Sequence, residues 1–484
     1  MSAQGVTTHG EGDLDGTSAT QSVTDGSCVV PALSVKANSV WFLVGNATYT
    51  LAQWCMVVLV AHLGSAYSVG VFALAFAVSA PVIMLANLRL RFVQASDAKD
   101  EHEFLEYFAL RLVTTALALG VIAIVAMCSQ NNIISLTTIL LIGIAKSFEA
   151  ISDIYYGLLQ KHQRMDVIAR SLMLKSFLSL ALFGGGLYIS RNILVACAGL
   201  AIAWGLVLIG MDARAPMRLS AAAAQRRAPR WHILRGAMRY FQSRIASRSI
   251  RRLAFTALPL GAVAFLVSLS ANIPRYVIEW RFGSEKLGYY AAISYFMVAA
   301  VTMMASVGQA AMPRLAQLFA GMEFHAFKHM LLRLVFIAVG GGIAGIGVAW
   351  LFGDSVLSMF YGQDYVQYRN VFVVMMVATA LNCVAMCLWY AMTAMREFKV
   401  QLPLFAGDVV IVAVVSVVLV PRMGIIGGAV ALACVMTYHI VVGAAVVRFK
   451  LAAAVERGGY TGAKSSRNSA PAEPNGFSNF DRKR

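Results

Sequence analysis

Charge is scarce in this chain. Only 13% of its 484 residues are Asp, Glu, Lys or Arg, and just 23 are acidic. Soluble domains carry about 25% charged residues, so a soluble globular protein is excluded. No stretch alternates apolar and polar residues as a membrane strand does, which removes a barrel. The first 35 residues are polar and acidic, with Glu11, Asp13, Asp15 and Asp25, and lack the basic start and short apolar core of a cleavable signal. The first span is therefore expected to serve as an uncleaved signal. The seven cysteines form no CxxC or Cys/His ligand pattern, so metal binding is not indicated; Cys383 and Cys387, one helical turn apart, read as packing residues. There is no GxxxxGK[ST] phosphate loop, no HExxH and no GxSxG, so neither ATP nor hydrolytic chemistry has an evident seat.

What is present is apolar sequence in long runs. Hydrophobic residues make up 59% of the chain. A bilayer crossing needs about 20 of them in succession. Twelve segments qualify, near 38–61, 66–88, 104–127, 132–159, 167–189, 192–212, 253–278, 287–311, 329–352, 367–391, 400–420 and 424–447. The fold expected is an all-α polytopic membrane protein. With both termini cytoplasmic, thirty-two of the 40 basic residues fall on the inner side or adjoining helix ends, six fall outside, and Arg111 and Lys146 lie within spans. That asymmetry is the positive-inside pattern. It also accounts for the net charge of +17 without nucleic acid as a partner.

The chain reads as a duplication. VGVFALAF (69–76) and LGYYAAIS (287–294) occupy matching places, as do Arg91/Gln94 and Arg314/Gln317, and IYYGLLQK (154–161) and LWYAMTAM (388–395). Six spans per half give the halves one orientation, hence parallel repeats. Five regions follow: a disordered polar start (1–36), a six-helix lobe (37–213), a basic linker (214–252), a second six-helix lobe (253–447) and a disordered basic tail (448–484). In the linker, Trp231, Leu234, Met238, Phe241 and Ile245 share an arc of about 80° on a helix. This reads as an amphipathic helix on anionic membrane lipid, or else as a solvated connector.

The fourth span carries ionisable side chains. In AKSFEAISDIYY (145–156), Lys146, Glu149, Asp153 and Tyr156 share a seam about 80° wide, extended by Gln160. An isolated charge at the bilayer centre costs about 2.5–3.5 kcal/mol on insertion scales. The group must therefore face itself or a wet cavity. Glu149 and Asp153 are adjacent carboxylates; with Lys146 they total one surplus negative charge when all ionise, and could take up H+ or Na+. The alternative is a Lys–Glu pair that only locks packing. Asn46, Tyr49, Thr50 and Gln53 share a face of the first helix, and Ser268, Asn272, Arg275 and Glu279 a face of the seventh, where Pro274 is expected to bend it. Arg275 could hold a phosphate group or pair with Glu279. Arg89 and Arg91 mark the inner mouth, by topology or by function. Asp408 and His439 read as lone packing residues, and Gly341-x-x-x-Gly345 as a close-packing surface.

AKSFEAISDIYYGLLQKHQRMDVIARS (145–171), VGVFALAFAVSAPVI (69–83) and LFGDSVLSMFYGQDY (351–365) resemble bacterial polysaccharide flippases of the Wzx type, in the multidrug/oligosaccharidyl-lipid/polysaccharide exporter superfamily. The resemblance spans residues 35–450. It implies two six-helix lobes around a cavity, and alternating access that carries an undecaprenyl-diphosphate-linked oligosaccharide across the bacterial inner membrane, for O-antigen, exopolysaccharide or capsule. Polysaccharide polymerase and chain-length proteins would be partners. No cofactor is implied beyond a coupling H+ or Na+. On this reading Lys146, Arg275, Arg89 and Arg91 attract diphosphate or acidic sugar, Asn46, Gln53, Asn272 and Tyr156 meet sugar hydroxyls, and Glu149 and Asp153 take the coupling ion. A cation- or proton-coupled multidrug antiporter of the same superfamily is the first alternative. A membrane glycosyltransferase or polymerase is the second, disfavoured by short outer loops and the duplication.

Overall fold

The structure is a computed structural model that describes residues 35–97, 101–129, 132–214 and 248–467. The expected amphipathic segment after Pro229 lies outside them, as do most of the polar N-terminus and the end of the tail. Among the described residues there is no strand.

The first lobe comprises α1 (Val35–Leu63), α2 (Ala66–Ala86), the short α3 (Leu90–Ser96), α4 (Phe104–Ser129), α5 (Ile133–Lys161), α6 (Met165–Ser179), α7 (Gly185–Ser190) and α8 (Ile193–Gly210). A π-helical turn, Leu180–Gly184, joins α6 and α7 into one crossing. Helix starts are set by short polar side chains that accept from otherwise unpaired backbone N–H groups. Asn132 accepts from Ile134 N and Asn192 from Leu194 N, each at 2.9 Å. Between α2 and α3, Leu88 and Arg89 adopt φ of 48° and 51°, so the second crossing ends in a sharp turn that aims α3 back toward α5.

The second lobe comprises α9 (Arg248–Ala320), α10 (Phe324–Tyr361), α11 (Arg369–Ala394), α12 (Phe398–Met423) and α13 (Ile425–Arg467). Although α9 has 73 residues, its helical φ/ψ pattern breaks at Gly283 (φ 78°, ψ 177°), a conformation open to glycine alone. Arg275 reaches Ser294 at 3.0 Å across that break, so the two halves form a hairpin. They are the expected seventh and eighth spans, and with them the described residues supply twelve crossings. Helical φ/ψ continue through Pro274. Continuous helix also runs to Arg467, well into the expected disordered tail.

The lobes meet along α2 and α9. Tyr276 donates to the Ala77 carbonyl, and Gly261 lies against Leu85 and Leu88. At the start of α2, Gly70 abuts Ser284 and Gly288. Trp54 Nε1 donates to the Tyr361 hydroxyl at 2.9 Å, joining α1 to α10. One core runs through both lobes, from Phe72, Phe183 and Trp204 to Tyr290 and Tyr361. Large apolar side chains such as Leu117, Phe336 and Ile343 stand exposed on the outer helix faces, a surface that suits lipid. The close approach expected at Gly341 and Gly345 falls instead at Gly342, where a Cβ would lie 3.1 Å from Ala380 Cα.

Candidate functional site

The seam of α5 becomes the centre of a polar cluster inside the first lobe. Lys146 Nζ sits 2.7 Å from Glu149 Oε2 and above the rings of Phe76 and Trp204, 5.2 Å from each centroid. The Tyr49 hydroxyl donates to Glu149 Oε1. Gln53 also contacts Tyr49, whereas Asn46 turns its amide onto the Phe42 carbonyl of its own helix at 2.7 Å. Asp153 is held by two guanidinium groups, Arg91 at 3.3 Å from α3 and Arg111 at 3.4 Å from α4. Arg91 also donates to Gln160 at 2.9 Å and lies over the Tyr156 ring. Arg111, wholly buried, donates to Asn87 as well.

A third group lies behind these pairs. The Tyr156 hydroxyl shares a 2.8 Å hydrogen bond with Ser171 and donates to Asp212 at 3.4 Å. Lys175, fully buried, donates to Ser152 at 3.3 Å and Tyr156 at 3.4 Å. By sequence Lys175 is one of the thirty-two inner-side basic residues, and Asp212 belongs to no motif. Both belong to the cluster because α6 turns Lys175 inward and the 3-10 turn Asp212–Arg214 after α8 closes over it.

The charge balance differs from the reading of α5 alone. Lys146, Arg91, Arg111 and Lys175 face Glu149, Asp153 and Asp212, so the fully ionised cluster carries one net positive charge instead of one negative. Nor do Glu149 and Asp153 share a site, since each has its own cationic partner. Their side chains keep 28% and 27% exposure, while Arg111 is sealed.

In the second lobe, Arg275 donates to Asn272 and to Ser294, each at 3.0 Å. It does not take Glu279, which accepts from Ser284 at 2.7 Å near the hairpin tip. Asp408 and His439 are not isolated: Asp408 Oδ2 lies 3.1 Å from His439 Nδ1, tying α12 to α13. Arg275, Asp408 and His439 line a cavity that Arg89 reaches from the first lobe. The ten residues singled out in the sequence therefore divide. Lys146, Glu149, Asp153, Tyr156, Arg91 and Gln53 gather in the first lobe, and Asn272 and Arg275 in the second. Arg89 lies between them, and Asn46 is spent on its own backbone.

Two six-span lobes packed along α2 and α9, with a polar cluster inside the first, make this a multi-pass membrane protein. No family model matches the chain. It is 23% identical over 391 residues to the capsular polysaccharide biosynthesis protein CapF of Staphylococcus aureus, covering 80% of this chain and 93% of that one. It is 22% identical over 157 residues to a putative O-antigen transporter of Shigella flexneri, covering 32% and 37%. Among solved structures, an inward-facing multidrug-resistance transporter of the MATE family superposes with a TM-score of 0.68 at 15% identity, covering 84% of this chain and 96% of that one. The fold is that of the multidrug/oligosaccharidyl-lipid/polysaccharide exporter superfamily, and the resemblance to Wzx-type polysaccharide flippases is borne out by these relatives.

Proposed function

We propose that the protein translocates undecaprenyl-diphosphate-linked oligosaccharide units across the bacterial inner membrane by alternating access, with both termini cytoplasmic. It acts as a transporter and not as an enzyme. The observation that carries this reading is the sign of the polar cluster inside the first lobe, four cations against three anions, with Arg89 and Arg275 lining the cavity of the second lobe. An anionic diphosphate or acidic sugar is the cargo such a surface attracts, and a cationic drug is the cargo it repels. The polysaccharide names of the curated relatives support the same choice. Glu149 is the candidate for the coupling ion. Its side chain keeps 28% exposure, and protonation there would loosen its ties to Lys146 and Tyr49 together. Asp153 is held instead by two arginines. A strain lacking the gene should lose surface polysaccharide and accumulate the lipid-linked unit in the cytoplasmic leaflet. Normal polysaccharide with heightened sensitivity to cationic drugs would favour the antiporter instead.

A further inference from the structure

Helix α10 gathers basic side chains where a helix favours anions. Its first three turns hold His325, Lys328, His329 and Arg333, all of them exposed. The N-terminal end of a helix is its positive end, so basic groups gathered there call for a negative partner. Among the described residues none of the four makes a hydrogen bond or an ion pair, not even with Glu323, which occupies the N-cap position. Other cations of this lobe do find carboxylates: Lys450 lies 2.8 Å from Glu397, and Arg369 lies 3.4 Å from Asp354. His325, His329 and Arg333 recur at steps of four and so form one row along the helix. They line a groove of 640 Å³ together with Met330, Leu334 and Ile337.

Depth narrows what lies against that groove. The 38 residues of α10 rise about 57 Å in all, at about 1.5 Å each, against a hydrocarbon core of about 30 Å. Centred on the bilayer, the helix projects about nine residues beyond the core at each end. His325 and His329 then stand in the headgroup layer and Arg333 at its boundary, where a long basic side chain leans back toward the headgroups. Past Arg333 the exposed side chains turn apolar, with Phe336, Ile337 and Ile343. Donors above an apolar wall match one molecule, a phospholipid. Guanidinium and imidazole N–H groups donate to its phosphate oxygens, and its first acyl carbons follow the wall. A zwitterionic lipid adds an ammonium group that a basic row repels. No residue of the groove lines the interior cavity, so the occupant is a resident lipid and not cargo in transit. We propose that this face of α10 binds one anionic phospholipid from the leaflet on the side of the chain termini, its phosphate held by His329 and Arg333 and its acyl chain by Met330, Leu334 and Ile337. Calling that leaflet cytoplasmic rests on the orientation proposed above; the binding does not.

Native mass spectrometry of the full-length protein, released from detergent micelles, counts bound lipid. The probes are phosphatidylglycerol and phosphatidylcholine with the same acyl chains. The wild type should retain one phosphatidylglycerol about tenfold more tightly than phosphatidylcholine. A basic side chain beside an anionic lipid is worth about fivefold, so His329→Gln with Arg333→Gln should lose most of that preference. Its melting temperature in phosphatidylcholine should not change, because both residues are exposed. Arg251→Gln with Arg252→Gln, equally exposed at the start of α9, should leave the bound lipid in place. No retained lipid, equal retention of the two lipids, or equal loss in the two double variants overturns the site. Displacement by undecaprenyl phosphate at lower concentration than by phosphatidylglycerol would make the groove a cargo site and overturn the assignment. Wild-type dimers that the His329/Arg333 variant dissolves would give the face to a second copy and overturn it too. Micelles have no sides, so the binding is read independently of orientation. Met322→Cys, beside the groove, reads the orientation: its labelling by an impermeant maleimide outside intact cells overturns the cytoplasmic leaflet and leaves the lipid site standing.

Discussion

Gly70 of α2 and Gly288 of α9 pack against each other across the two lobes in a reciprocal contact. A Cβ on Gly70 would lie 2.6 Å from the Ser284 carbonyl carbon and 3.0 Å from Gly288 N. A Cβ on Gly288 would lie 2.7 Å from the Ala66 carbonyl carbon and 3.1 Å from Gly70 N. Ala66 and Gly70 stand in the first repeat where Ser284 and Gly288 stand in the second, as the pairing of VGVFALAF with LGYYAAIS requires. The duplication thus sets two equivalent glycines face to face, and the backbones touch because neither carries a side chain.

That contact predicts a conformational phenotype. Gly70→Val or Gly288→Val should wedge the lobes apart at this end while leaving each lobe's own core untouched. Polysaccharide export should fall tenfold or more at normal protein abundance. A cysteine placed at Ser65 should become more reactive to a membrane-impermeant maleimide. Unchanged labelling and unchanged export in both variants would remove the contact from the transport cycle.

The two carboxylates of α5 should behave differently, because their partners differ. Glu149→Gln leaves Lys146 between two aromatic rings with the amide oxygen still in reach, so abundance should hold while export fails. Asp153→Asn leaves two guanidinium groups, one of them the sealed Arg111, without their anionic partner. Breaking a buried ion pair from one side costs about 3–5 kcal/mol, so this variant should lose abundance first. Quantitative blotting beside a polysaccharide assay separates them; equal abundance in both variants contradicts the assignment of partners.

Much of this was legible in the sequence, for a physical reason. A membrane span has to be apolar over its whole length, so most helix ends could be read within a few residues, those of α10 at Tyr361 and α13 at Arg467 excepted, and so could the seam of Lys146, Glu149, Asp153 and Tyr156 on one helix. What one helix could not reveal was its counterparts. Lys175 sits in a stretch of mixed polarity beside a basic loop, and Asp212 follows the sixth span where a solvated residue would be unremarkable. Only packing shows that both turn inward, and with Arg91 and Arg111 they reverse the sign of the cluster. Asp408 and His439 looked solitary for the same reason: their partnership is made between helices, at no regular sequence spacing.

Arg275 gives a test of the second lobe. Its guanidinium bridges the hairpin by donating to Asn272 and Ser294, and a lysine could reach one of them but not both in the same geometry. Arg275→Lys should keep the protein folded and inserted and reduce export several-fold. Arg275→Gln should abolish export if the charge is what the cargo meets. If the glutamine variant exports as well as the lysine variant, the residue serves the hairpin alone.

Lys175 and Asp212 provide the sharpest stability prediction. Lys175 has no exposed surface and Asp212 is 2% exposed, with Tyr156, Ser171 and Ser152 between them. Lys175→Met leaves Asp212 as a buried carboxylate without its cation, and Asp212→Asn strands Lys175 in the same way. Each single change should lower the melting temperature of the purified protein by several degrees, since either removes one side of a buried pair. The double variant replaces the charges with a neutral, similarly sized set, and should recover most of the loss, because replacing both partners is far less costly than orphaning one. A thermal double-mutant cycle measures that coupling directly. Additive losses would mean the two charges are stabilised separately, and the fourth cation would then drop out of the cluster that gives the first lobe its positive sign.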